Sequence, residues 1–297
     1  MHNERLVGAS LVALGAVAFS GKAIIIKLAY RHGVDPTTLL AFRMMFSAPL
    51  FLVLAWWASR GPEVEPMSVK DRWTVVALGI VGYYLASYFD FLGLQHITAA
   101  LERLVLFLNP TIVLLLSALL FKRRITGRDV VAIVLSYLGI CAAFVNDLKT
   151  QPGNVWLGTF WVVLSAILYA AYLLGSGRIV GRLGSMRLAG YAGLVSSIAV
   201  VIHFFVTSDP QLLFTQAPQV YWLSILMASV ATVLPIALIS EGIRRMGASH
   251  ASIVASIGPI ITIFFGAIFL DEPVTAFQLL GAGLVLAGVL TISLPSR

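Results

Sequence analysis

Charge is scarce in this chain. Asp, Glu, Lys and Arg make up 11% of its 297 residues, against about 25% in an ordinary soluble domain. A water-soluble fold would have too little polar surface to cover it. Cysteine is reduced to Cys141, which excludes a disulfide framework and a thiolate metal cluster. Polar linkers are equally sparse: residues 60 to 70 with two prolines, 147 to 154, and 207 to 219. None of them leaves room for a separate soluble domain. The sequence has no phosphate-binding Walker loop, no HExxH and no ordered Ser/His/Asp set with recognisable context. Nucleotide hydrolysis and the common hydrolytic chemistries are therefore not written into it.

Apolar sequence is abundant instead, at 59% of the residues with a mean hydropathy of +0.95. About 20 apolar residues cross about 30 Å of hydrocarbon. Ten stretches meet that length, at about 5 to 29, 37 to 57, 73 to 94, 97 to 119, 129 to 146, 154 to 176, 186 to 207, 219 to 241, 249 to 270 and 276 to 294. The first is too long for the apolar core of a signal peptide and no small-residue cleavage pattern follows it, so it is expected to stay. The net charge of +7 comes from short loops without an aromatic stacking platform, which argues against a nucleic-acid partner.

The stretch from Leu92 to Gly139 recurs without a gap from Glu241 to Gly288. At a constant offset of 149 residues, Gly93 falls on Gly242, Ala99 on Ala248, Pro110 on Pro259, Thr126 on Thr275 and Gly139 on Gly288. Lys122, Arg123 and Arg124 in the first copy become Asp271, Glu272 and Pro273 in the second. Basic loops stay cytoplasmic, so this reversal suits two inverted units, each with an odd number of spans. With the N-terminus inside, fourteen Lys and Arg lie in cytoplasmic segments, two (Arg31 and Lys149) lie opposite, and Lys22, Lys27, Arg43 and Arg103 lie within spans. The expectation is an all-α integral membrane protein of ten transmembrane helices. Two inverted five-helix repeats, 1–148 and 149–297, would build it, with both termini cytoplasmic and the plasma (inner) membrane as its place.

The segment from Gly247 to Gly288, reading GASHASIVASIGPIITIFFGAIFLDEPVTAFQLLGAGLVLAG, resembles the closing part of an EamA-type repeat of the drug/metabolite transporter superfamily. The likeness rests on a small-residue entry, a mid-span Pro259, Glu272 before a proline, and a glycine-rich last span. The first half resembles it too, through Asp35, Pro36 and Arg43 and through Gly93 to Gly139, but it carries Arg123 where the family often has glutamate. The resemblance implies a ten-helix transporter with a central cavity built from spans one, three, four, six, eight and nine. It also implies small organic solutes such as amino acids, drugs, nucleotide sugars or phosphates.

Ionisable groups at membrane depth are costly and usually face a cavity or a partner. Lys22, Arg43, Asp90, Glu102 and Arg103 fall in the outer third of their spans. They are expected to form a network in which Asp90 and Glu102 face some of the three cations. The alternative is an ion-pair lattice that only fixes helix register. Lys27 is expected to snorkel to the outer interface. Glu102, Leu106 and Asn109 are spaced to share a face of span four ahead of Pro110, where a carboxylate could bind a proton or a cationic group. Ser252 and Ser256 hold the matching turn of span nine, where close helix packing is the competing use. Tyr84 with Tyr88, and Tyr169 with Tyr172, form same-face pairs that would suit an amphipathic organic solute, or plain packing.

These features predict a secondary transporter that exports or exchanges small metabolites, amino acids among them, by alternating access. A phosphorylated-metabolite or nucleotide-sugar antiporter is the alternative, with Lys22, Arg43 and Arg103 binding the anion. An intramembrane enzyme or a scaffold belongs to a different class, and the duplication and the lack of a long exposed segment speak against each. The expected partners are the solute, the bilayer and protons, with the protein a monomer or weak homodimer. No cofactor and no metal are expected.

Overall fold

The computed structural model describes residues 2–60 and 66–293, and every regular element among them is helical. We number the helices α1 (His2–Tyr30), α2 (Pro36–Ala58), α3 (Val69–Leu94), α4 (Ala99–Phe121) and α5 (Gly127–Thr150). The second half holds α6 (Val155–Leu183), α7 (Ser185–Thr207), α8 (Pro218–Met246), α9 (Ala248–Ala255 and Gly258–Leu270) and α10 (Ala276–Ser293). Among the described residues nine segments are long and apolar enough to cross a membrane, while α10 contributes a shorter apolar stretch, Ala276–Ile292. Large apolar side chains stand fully outward, including Leu119, Val206 and Trp222. Lipid, not water, suits that surface.

Local sequence sets the helix ends. Asp35 accepts from the backbone N–H of Thr37 and Thr38 at 2.9 and 3.0 Å, and Pro36 at the first helical position gives up an N–H that would have no partner. Ser68 with Asp71, and Thr126 with Asp129, close reciprocal capping boxes at the starts of α3 and α5. Lys122 and Asp271 both end their helices in the left-handed region, at φ 54° and 58°. Several helices overrun the expected apolar runs: α6 continues to Leu183, where Arg182 pairs with Asp71 of α3. Polar turns that lie beyond the hydrocarbon still form helix when a neighbouring helix offers them a partner.

The element order repeats at the offset read from the sequence. The two pieces of α4, Ala99–Leu106 and Asn109–Phe121, recur as Ala248–Ala255 and Gly258–Leu270. Likewise α2 recurs as α7. A turn of π-helix, with one residue too many for the α ladder, interrupts α3 at Gly79–Leu85 and α8 at Ser229–Val233.

Packing follows the same exchange. The helix α1 lies on α8 and α6 lies on α3, while α2 packs on α7 and α5 on α10. Glycine permits the close approaches. A Cβ on Gly93 would meet Val162 and stand 2.8 Å from the Gly158 carbonyl, and one on Gly242 would meet Val12 and stand 2.9 Å from the Gly8 carbonyl. At the α5/α10 crossing, a Cβ on Gly139 would come within 2.5 Å of the Gly281 carbonyl, and one on Gly288 within 2.6 Å of the Ala132 carbonyl. All three crossings hold backbones too near for any side chain between them.

Candidate functional site

Irregular backbone gathers at mid-bundle. Pro110 has no N–H for the Leu106 carbonyl, and α4 breaks at Phe107 and Leu108. The Asn109 amide takes that carbonyl at 2.5 Å, so the break is stabilised by its own side chain. Pro259 sits at the same break in α9. The π-helical turns of α3 and α8 face these breaks across a cavity of about 330 Å³. Non-ideal backbone at membrane depth is tolerated where it lines such a space.

Lys22, Arg43, Asp90 and Arg103 line the cavity, as do Asn109, Tyr169 and Ser252. The lining pairs residues of the two halves. At the 149-residue offset Tyr83 answers Thr232, Ser87 answers Ile236, Arg103 answers Ser252 and Leu106 answers Ala255, all of them in the wall. Between α1 and α6, where one residue is inserted, Phe19 answers Tyr169. The charges do not follow this pairing. The positions equivalent to Arg43, Asp90, Glu102 and Arg103 are Ala192, Ile239, Ala251 and Ser252. All of the cavity's charge comes from the first half.

Lys22 is the centre of the ion pairing. Its Nζ lies 2.6 Å from Asp90 Oδ2 and 3.1 Å from Glu102 Oε1, so one ammonium serves two carboxylates. Glu102 is fully buried behind Lys22, outside the cavity wall, and its Oε2 has no hydrogen-bond partner. The guanidinium groups are held differently. Arg43 donates to the hydroxyls of Thr232 at 3.1 Å and Ser87 at 3.2 Å, and lies over the Phe91 ring. Arg103 lies 4.8 Å over the Phe19 ring, and its buried Nε has no hydrogen-bond partner. Among the described residues no carboxylate stands within 4.0 Å of either guanidinium.

Several expectations need correction. Glu102, Leu106 and Asn109 do not present one continuous face, because the break after Leu106 interrupts the periodicity that would align them. Tyr84 and Tyr88 turn away from the cavity to His203 of α7, at ring distances of 5.8 and 4.8 Å. Tyr84 lies within the π-helical turn and Tyr88 follows it, while Tyr83 and Ser87 hold the cavity side of α3. Tyr172 is buried edge-on against Tyr83, 5.3 Å away, one layer behind the wall. Ser256 is half-buried and donates to the Ile253 carbonyl at 2.6 Å, which makes it part of the α9 break. Lys27 does not snorkel. It pairs with Glu272 at 2.9 Å and donates to the Ile97 carbonyl at 2.8 Å. Glu272 in turn accepts from the Ala99 N–H, and the neighbouring Thr98 binds Asp147. This second polar cluster joins α1, α4, α5 and α9 at the end of the bundle that carries Asp271.

Sequence reasoning also passed over Phe19 and Thr232. The repeat held the signal for Thr232, because it is the residue 149 positions after Tyr83.

Comparison with known proteins agrees with this architecture. The EamA-like transporter family matches residues 6–145 and again 156–294. The chain is 31% identical to an uncharacterized transporter, YcbK, of Bacillus subtilis (strain 168), over 94% of this chain and 90% of that protein. It is 21% identical to a WAT1-related protein of Arabidopsis thaliana, over 94% of this chain and 83% of the other. A crystal structure with 16% sequence identity superposes over 95% of both chains with a TM-score of 0.62, which speaks for the fold alone.

Proposed function

The chain belongs to the EamA-like transporter family, a family of multi-pass membrane proteins, and we propose that it is a secondary transporter that exports or exchanges small organic metabolites, amino acids among them. Two inverted five-helix halves would give alternating access to the cavity between them. The observation that carries this reading is the cavity wall, in which matching residues of both halves meet around a charged centre. Two inverted copies around one site can rock so that either end opens while the site itself keeps its contacts. The asymmetry of fourteen basic residues against two supports cytoplasmic termini. In this reading the protein sits in the plasma membrane, with the Lys27 and Glu272 cluster at the outer end.

Glu102 supplies the coupling in this account. It is buried, it shares Lys22 with Asp90, and a proton there would change the cavity's charge without touching its wall. An antiporter of phosphorylated solutes is supported by Arg43 and Arg103, which line the cavity. The volume of about 330 Å³ lies at the low end of the range of about 300–1,000 Å³ for ligand sites, and that speaks against a nucleotide sugar. The test is counterflow in proteoliposomes loaded with an unlabelled amino-acid mixture, followed by uptake of labelled phenylalanine. Uptake that depends on the internal load is expected, and uptake no faster than in protein-free vesicles contradicts the reading.

A further inference from the structure

We infer that the group recognised in the central cavity is a carboxylate, held between Arg43 and Arg103, and that the solute is a small monocarboxylate with an apolar body. The inference deepens the transporter reading and takes its site from it.

The charge count of the site is the first ground. Lys22 is already matched by Asp90 and Glu102. Arg43 and Arg103 are both more than nine-tenths buried, at 7% and 9% exposure, and have no carboxylate within 4.0 Å among the described residues. With all five groups ionised the site carries one net positive charge. A buried cation without a counter-ion is expensive, and a monoanionic solute would remove that cost while bound. With Glu102 ionised, a dianionic phosphate would overshoot it.

The holding geometry is the second ground. A guanidinium matches a carboxylate through two parallel N–H bonds, provided that its plane is fixed and its donors are free. The ring of Phe19 lies under Arg103, and its Nε has no partner. The hydroxyls of Thr232 and Ser87 take the Nε donor and one Nη1 donor of Arg43 and orient it without neutralising it, leaving its Nη1/Nη2 edge for a carboxylate. Each arginine is thus fixed in place by neutral groups and keeps its charge for a ligand. The remaining wall offers Phe107, Leu106, Ile236 and the Tyr169 ring, apolar surface for a short hydrocarbon or aromatic body.

The test is binding to the purified full-length protein, measured by thermal shift and by calorimetry, with four probes of one shape: 3-phenylpropanoate, its uncharged amide, phenethylamine and phenyl phosphate. The carboxylate is expected to bind at least tenfold more tightly than each of the other three. Arg43→Gln and Arg103→Gln are each expected to weaken it at least tenfold, and Arg103→Lys less. The acid-against-amide comparison needs no variant, so a misfolded arginine mutant leaves the inference testable. Equal binding of acid and amide, preference for the amine or the phosphate, or binding of phenylalanine but not of 3-phenylpropanoate would overturn it. Carboxylate binding without counterflow would remove the transporter reading and keep this one; counterflow with a probe that has no carboxylate would do the reverse.

Discussion

Lys22 joins two carboxylates that no other cation reaches within 4.0 Å among the described residues. Removing it would leave two buried negative charges side by side, and breaking such a pair costs roughly 3–5 kcal/mol. Lys22→Met is therefore expected to lower the melting temperature sharply, and Lys22→Met with Asp90→Asn to recover part of the loss. A single mutant as stable as the parent would contradict this. Glu102→Gln keeps the shape and removes the titrating group. It is expected to preserve folded yield and to flatten the pH dependence of transport; an unchanged pH profile would return Glu102 to a structural role. The tyrosines separate by position. Tyr169→Ala should weaken solute binding, whereas Tyr84→Ala and Tyr88→Ala should lower stability and leave Kd unchanged, because those rings pack on His203. Measuring Kd and melting temperature on the same samples decides it.

At the scale of the helix, most boundaries were legible because apolar run length and caps such as Asp35 and Thr126 mark them locally. The proline breaks were legible too, since Pro110 and Pro259 state them outright. The π-helical turns were not: nothing in GIVGYYL or SVATV advertises the extra residue, and helical spacing pairs Tyr84 with Tyr88 without saying which neighbour the pair meets. Contacts such as Lys27 with Glu272 depend on how helices from opposite halves lie together, which no single-helix periodicity encodes. The crossing of α5 and α10 offers a test at this scale. Gly139→Val would push a side chain into the Gly281 carbonyl, and overpacking of this kind costs typically about 1–3 kcal/mol. A fall in melting temperature is expected for Gly139→Val, and none for Gly21→Ala, whose added Cβ would meet nothing within 4 Å.

For the whole molecule, duplication was the most informative sequence feature, and the structure carries it into the elements, the glycine crossings and the cavity wall. Charge departs from it, since the first half supplies every charged wall residue. The central claim is that the halves are inverted, and two-sided labelling tests it most directly. In a Cys141→Ser background, a cysteine is placed at Arg124 and, separately, at Pro273, the equivalent exposed position, which avoids the left-handed backbone of Asp271. An impermeant thiol reagent is then applied to intact cells and to inside-out vesicles. The account predicts that Pro273→Cys labels in cells and Arg124→Cys in inside-out vesicles, and labelling of both from the same side would contradict it.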